Sequence, residues 1–264
     1  MSLQSQKPRV AVHKFSSCDG CQLAFINAGE ALVELSTLID IVHFAEAGYV
    51  DEEAEVDIAF IEGSVSTPHE LKRIAMIREK SKTLITIGAC ATSGGLQALR
   101  NMNGSRQWIE GIYAKPDVID LMETSTPISE HVKVDLELWG CPVNAVQVFA
   151  AIRSLLFGTT PVLEQEKVCL ECKRQQNVCV MVTKGEPCLG PVTRSGCGAI
   201  CPSVGRDCYA CFGPAEQANT ASLAQQFSEQ GLAAEAIARR FLFINSHSKA
   251  FNAEGKKWLE KGNE

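Results

Sequence analysis

Thr83-Leu84-Ile85-Thr86-Ile87-Gly88-Ala89-Cys90 decides how the first part of this chain is read. An uncharged, largely β-branched run stops at a glycine and delivers a cysteine. Such a run fits a strand buried on both faces, as in a parallel sheet covered by helices. The same grammar recurs on either side. Arg9 to Phe15 reads as a strand and is followed at once by Ser16-Ser17-Cys18-Asp19-Gly20-Cys21. Asp40 to Phe44 is a second strand, and Val56 to Ile61 a third, ending in Glu62-Gly63-Ser64. Val132 to Trp139 reads as the fifth, ending in Gly140-Cys141-Pro142. Between them, Leu23, Ile26, Ala31 and Leu35 have helical spacing, Thr67-Pro68 opens a helix through Lys80, and Val143 to Phe157 forms another. Alternating strands and helices predict an α/β domain with a doubly wound parallel sheet, flavodoxin-like, over residues 8–160.

Cys18, Cys21, Cys90 and Cys141 each follow a predicted strand. The carboxyl ends of parallel strands share one edge of the sheet, where ligands bind. Segments far apart in sequence thus bring four thiols to one place. Buried structural cysteines are common in cores, but chance burial does not put every cysteine of a domain on one edge.

The next stretch is different in kind. Residues 161–213 hold eight cysteines: Cys169, Cys172, Cys179, Cys188, Cys197, Cys201, Cys208 and Cys211. The apolar run among them, Val178 to Val182, is too short to offset the cost of ordering the backbone. Disulfides, zinc or iron–sulfur clusters must staple this loop-rich module. No histidine lies in it, which disfavours mixed zinc sites but not an all-thiolate zinc. Prolines adjoin Cys188 and Cys201, as one adjoins a cysteine in the ferredoxin run, and glycines allow turns whose amides face sulfur. The pattern favours two iron–sulfur clusters over zinc. Twelve cysteines in all make three sets of four.

The remaining features bound the function. Of the 264 residues, 45% are hydrophobic and 21% charged, as in a soluble globular protein. The net charge of −6 argues against nucleic acid. The most apolar stretch, Ala145 to Phe157, is too short to span a membrane and is interrupted by Arg153. Met1 to Arg9 has neither a signal-peptide core nor a twin arginine, so a cytoplasmic location is expected, where disulfides are rare. No G-x-G-x-x-G follows the first strand, so no dinucleotide is expected. His13, His43, His69, His131 and His247 are scattered and read as structural or surface residues. Residues 214–264 read as a helical tail with an apolar stripe of Leu223, Phe227, Leu232, Ile237 and Phe241, and a solvated, frayed end from Lys256 to Glu264.

Taken together, Cys18-x2-Cys21, Glu62-Gly63-Ser64, Gly88-x-Cys90-x3-Gly94-Gly95, Gly140-Cys141-Pro142, Cys188-Leu-Gly-Pro-Val-Thr193 and Cys208-Tyr-Ala-Cys211-Phe-Gly-Pro214 resemble the small subunit of [NiFe]-hydrogenases. The resemblance implies that Cys18, Cys21, Cys90 and Cys141 ligate a proximal [4Fe–4S] cluster, with Glu62 beside it. It implies a distal cluster on Cys169, Cys172, Cys179 and Cys188, and a medial one on Cys197, Cys208 and Cys211. Two departures from the exported members stand out: Cys169 replaces a histidine, and Cys201 stands where proline leaves a three-cysteine [3Fe–4S] site. Three [4Fe–4S] clusters are therefore implied, as is similarity to the cytoplasmic branch. Members of that branch couple dihydrogen to NAD(P) through flavin and iron–sulfur diaphorase-type subunits, with nickel and iron in a separate large subunit. Cys188 and Cys197 are the ligands that could exchange between medial and distal sites.

Other readings keep the same ligands. A heterodisulfide-reductase-linked or deazaflavin-linked hydrogenase small subunit differs only in the final acceptor. The quinone-side subunit of a complex I-type oxidoreductase shares the sheet domain, but that family carries adjacent cysteines near its first motif. Here Asp19-Gly20 separates Cys18 from Cys21, and the eight extra cysteines of residues 161–213 follow the sheet domain. A zinc-stabilised module or free polyferredoxin is the last alternative.

Overall fold

The computed structural model describes residues 7–163 and 166–262. Its first part is a five-stranded, all-parallel sheet of β1 (Arg9–Lys14), β2 (Asp40–Phe44), β3 (Val56–Glu62), β4 (Ser81–Ile87) and β5 (Leu136–Leu138). The strand order is β2-β1-β3-β4-β5, the flavodoxin order. The order reverses between β1 and β3, and the crevice that this reversal opens lies beyond their carboxyl ends.

The continuous strands are apolar because both faces are covered. On one face Val10, Val12, Phe60, Ile85 and Ile87 pack with α1 (Gly20–Ile26), α2 (Glu30–Leu38) and α6 (Ala145–Leu156). On the other, Ala11, Ala59, Ile61 and Leu84 pack under α3 (Pro68–Lys80) through Ile74 and Ile77. Thr67 starts α3 with a capping box: its hydroxyl accepts the Glu70 amide, and Glu70 accepts the Thr67 amide. After β4 come α4 (Gly88–Ser93) and α5 (Ser105–Ile112).

Three expectations change. The predicted first helix is two helices, α1 and α2, broken at Gly29, whose φ of +56° glycine adopts without a Cβ penalty. The fifth strand is Leu136–Leu138, not Val132 to Trp139. Asp135 accepts the Leu84 amide with its side chain at 2.9 Å and binds Arg78, while Val132 and Val134 turn into the core, so the strand begins where the Asp135 amide donates to the Leu84 carbonyl and Leu136 pairs with Ile85. The chain end is not frayed through residue 262. α10 (Thr220–Glu229), α11 (Ala234–Phe241) and α12 (Lys249–Gly262) bury Phe227, Phe241, Phe251 and Trp258 in one core. Trp258 is 5% exposed and donates to Glu254 at 2.8 Å. Asn263 and Glu264 lie outside the described residues.

Between sheet and tail lie three short helices, α7 (Val168–Arg174), α8 (Val180–Lys184) and α9 (Ile200–Ser203), joined by loops. Their small core consists of Val168, Val180, Ala199 and cysteines. Val178 and Val182 face solvent, so of the apolar run Val180 is buried here, with Met181 packed partly against it. The sheet meets this region closely: a Cβ on Gly213, where φ is +74°, would lie 2.2 Å from the Trp139 ring.

Candidate metal centre

Cys18, Cys21, Cys90 and Cys141 stand at the carboxyl ends of β1, β4 and β5, on the predicted edge. Asp19, with φ of +66°, turns the chain after β1 and starts α1. Glu62 closes β3 and is almost fully buried. Its two oxygens accept the Cys21 amide at 3.0 Å and the Gln22 amide at 3.3 Å. Burial pushes the Glu62 carboxyl up and these hydrogen bonds oppose the push. The Cys21 sulfur accepts the Val143 amide at 3.4 Å. Gly88 is required beside it, since a Cβ there would come within 2.2 Å of that sulfur. The ends of β4 and β5 are tied by the Ala89 amide to the Gly140 carbonyl at 2.6 Å.

The four thiols act on one another. Burial raises Cys21 most, followed by the charges of Glu62, Cys90 and Cys141. Cys90 is pushed up to about 12 by burial, then by Cys141, Cys18 and Glu62. A cationic centre beside Cys21 and Cys90 would offset the cost of holding them as thiolates.

The second module continues the pattern. Cys169 is pushed up to about 11 by burial and then by Cys188, Cys172 and Cys179. Gly190 fits between two of these, its would-be Cβ 3.4 Å from both the Cys169 and Cys188 sulfurs. Cys211 is pushed up to about 12 by burial, then by Cys197, Cys141 and Cys201. Cys197, Cys201, Cys208 and Cys211, with Cys141 on the sheet side, line a mostly apolar cavity of about 500 Å³.

The three sets touch in series. The Cys141 backbone faces the Cys211 sulfur across the cavity they share, and the Cys208 amide donates to the Cys188 sulfur at 3.2 Å. Further amides face sulfur: Ala210 to Cys208 at 3.4 Å, and Ala199 and Ile200 to Cys197. Among the described residues, no three His, Cys, Asp or Glu side chains converge on a point that would hold a single metal ion. Cys188 lies with Cys169 and Cys179, and Cys197 with Cys201 and Cys211, although the Cys208 contact joins the two groups.

Sequence reasoning missed Glu171. It sits between Cys169 and Cys172, yet its carboxylate accepts the Gly196 amide at 2.8 Å and the Gly198 amide at 3.2 Å, and the Cys197 thiol points at it from 3.8 Å. An acidic residue inside C-x2-C was the available signal. Thr193, legible in the sequence only as part of a motif, turns its hydroxyl to the Cys208 thiol at 3.8 Å. The histidines stay apart from this chemistry. His13 and His43 stack at 4.5 Å in the sheet domain, His131 pairs with Thr126, His247 with Glu130, and His69 is exposed.

The sequence profile of the family described as NADH ubiquinone oxidoreductase, 20 Kd subunit, matches residues 18–155, from the first cysteine to the end of the sheet domain. The chain belongs to this family. Within it the chain is a hydrogenase subunit. It is 34% identical to sulfhydrogenase 2 subunit delta of Pyrococcus furiosus, over 88% of this chain and 97% of that one. It is 30% identical to a subunit of the F420-non-reducing hydrogenase vhu of Methanocaldococcus jannaschii, over 85% and 90%. The solved NAD+-reducing [NiFe]-hydrogenase is 27% identical with a TM-score of 0.56, and the match covers 60% of this chain and 96% of that one. The complex I-type reading thus shares the family through the sheet domain, while relatives matched over most of this chain's length are hydrogenase subunits. The hydrogenase subunit is an iron–sulfur protein of α/β fold, with a cysteine-rich region and C-terminal helices after the sheet.

Proposed function

We propose that this hydrogenase small subunit relays electrons through three [4Fe–4S] clusters, between a nickel–iron site on a large partner subunit and a diaphorase-type partner that reduces NAD(P). The proximal set is Cys18, Cys21, Cys90 and Cys141. The medial set is Cys197, Cys201, Cys208 and Cys211, and the distal set Cys169, Cys172, Cys179 and Cys188. The observation that carries this reading is the serial contact of the three thiol groups, through Cys141 with Cys211 and Cys188 with Cys208. Each cluster, when bound, supplies one-electron storage. The chain's own part is to hold and tune it. Amides from Val143, Cys208 and Ala210 donate to ligand sulfurs, which favours the more negative state. Glu62 holds the Cys18–Cys21 turn, and mostly apolar walls line the medial cavity.

Free thiols and the ligand chemistry support a cytoplasmic location, and among the described residues no helix is long and apolar enough to cross a membrane. The likeness to an NAD+-reducing enzyme supports the NAD(P)-linked reading, but it covers only 60% of this chain. A second reading keeps a heterodisulfide-reductase-type or deazaflavin acceptor; the F420-non-reducing hydrogenase matched over 85% of this chain weighs against the deazaflavin arm, since that protein's own name sets F420, a deazaflavin, aside.

Purifying the complex through a tag on this chain tests the reading. Co-purification of a nickel-bearing chain and flavin subunits, with dihydrogen-dependent NAD(P)+ reduction, is expected. A complex that reduces a disulfide or deazaflavin acceptor and not NAD(P)+ would select the second reading. Cys201→Pro removes one thiolate from the medial set and is expected to leave a three-iron centre there. An unchanged electron paramagnetic resonance spectrum would remove Cys201 from the ligands.

A further inference from the structure

The loop between α11 and α12 sends one side chain between two of the cysteine groups. Asn245 is 2% exposed although the loop carrying it belongs to the tail. Its Oδ1 accepts the Ser93 hydroxyl at 2.6 Å, and its Nδ2 donates to the Ala210 carbonyl at 2.7 Å. Ser93 is the last residue of α4, the helix that carries Cys90. Ala210 lies in Cys208-Tyr209-Ala210-Cys211, with φ of +57°, a left-handed conformation that an L-residue adopts only when its surroundings hold it. Both donor and acceptor of the amide are used, and both partners are buried, so turning the amide or losing it leaves polar atoms unpaired. The neighbouring contacts reinforce the placement: a Cβ on Gly94 would lie 3.6 Å from the His247 Cβ, and His247 binds Glu130 at 2.8 Å.

We infer that Asn245 is a positioning residue that fixes the separation and relative orientation of the proximal and medial clusters by clamping α4 to the Cys208–Cys211 turn. Its side-chain hydrogen bonds go to Ser93 and Ala210, not to a thiol, and it takes no part in ligation. The tail therefore does more than cover apolar surface: it sets the gap an electron crosses between the two sites. This inference rests on the assignment of clusters to those two cysteine groups.

The test uses the complete chain with its clusters and compares wild type, Asn245→Leu, Asn245→Asp and Ser93→Ala. Iron content and the signal of each reduced cluster report whether the sites are filled. The proximal–medial magnetic splitting reports their separation and orientation. Asn245→Leu is expected to keep its iron and its distal signal and to lose or shift the proximal–medial splitting. Ser93→Ala, which loosens one side of the clamp, is expected to shift it less, and adding Ser93→Ala to Asn245→Leu should add nothing. Asn245→Asp keeps the acceptor for Ser93 and loses the donor to Ala210, so an intermediate shift is expected. An iron-replete Asn245→Leu protein with the wild-type splitting would overturn the inference. Should Asn245→Leu lose iron, an unchanged splitting in both Asn245→Asp and Ser93→Ala would overturn it equally. A wild-type chain lacking interacting proximal and medial signals would instead refute the cluster assignment itself.

Discussion

The sheet domain and the cysteine module solve the problem of holding thiols in opposite ways. In the first, the fold comes before the site. Val10, Val12, Phe60, Ile85 and Ile87 are buried with their helices whether or not anything occupies the strand ends, and Cys18, Cys21, Cys90 and Cys141 are carried there by the strands. In the second, the site comes before the fold. The core of Val168, Val180 and Ala199 includes the cysteines themselves, and Val178 and Val182 are left in solvent. Positions on a sheet edge are set by ladder hydrogen bonds, whereas positions in a short-helix loop region must be set by what the side chains bind. The two regions share a boundary at Trp139 and Gly213, and the tail core reaches into the module through Leu189 and Val192.

The largest expected effect separates the regions outright. Chelating iron should abolish hydrogen-exchange protection across 168–188 and 197–208, while β1, β3 and β4 stay protected, because metal binding in such a region is folding free energy. Equal loss of protection in both regions would erase the contrast. A smaller effect belongs to the sheet alone. His13 is held down to about 3, mainly by burial and then by the charges of His43 and Arg73. Its folded value lies below its unfolded one, so the unfolded chain binds more protons between about pH 3 and 6.5, and stability falls as pH falls through that window. From pH 6.5 to 4.5 the loss is about 2–3 kcal/mol, read from denaturant titrations, and His13→Phe should flatten that limb. A variant as acid-sensitive as wild type would locate the acid response elsewhere. The smallest is Thr67→Ala, which removes the α3 cap and should lower sheet-domain stability by about 1 kcal/mol with no change in the module's exchange. A matching change in the module would mean that the two regions unfold as one.

The sheet was legible because its signals are local and repeated. An apolar run, a glycine and a cysteine, read at Thr83–Cys90 and again at Val132–Cys141, place both the strand and its thiol. Where a side chain competes with the ladder, as Asp135 does, the strand is shorter than its apolar pattern. The grouping of the first four cysteines followed from the parallel topology. In the module, spacing alone left Cys188 and Cys197 exchangeable, because loops carry no register from which to infer neighbours. Glu171 and Asn245 were not legible as site residues, since each acts on backbone groups at least 25 residues away along the chain. The tail's last helix looked solvated by its charges, and only the tertiary contacts of Phe251 and Trp258 bury it.

The proposed relay depends on twelve thiols holding three cubanes. Metal analysis of the anaerobically purified chain, together with Mössbauer and electron paramagnetic resonance spectra, decides the point. About twelve irons per chain are expected, all in [4Fe–4S] clusters, with no stoichiometric zinc. About four irons with about two zincs would contradict this and make the second module a zinc scaffold beside a single cluster.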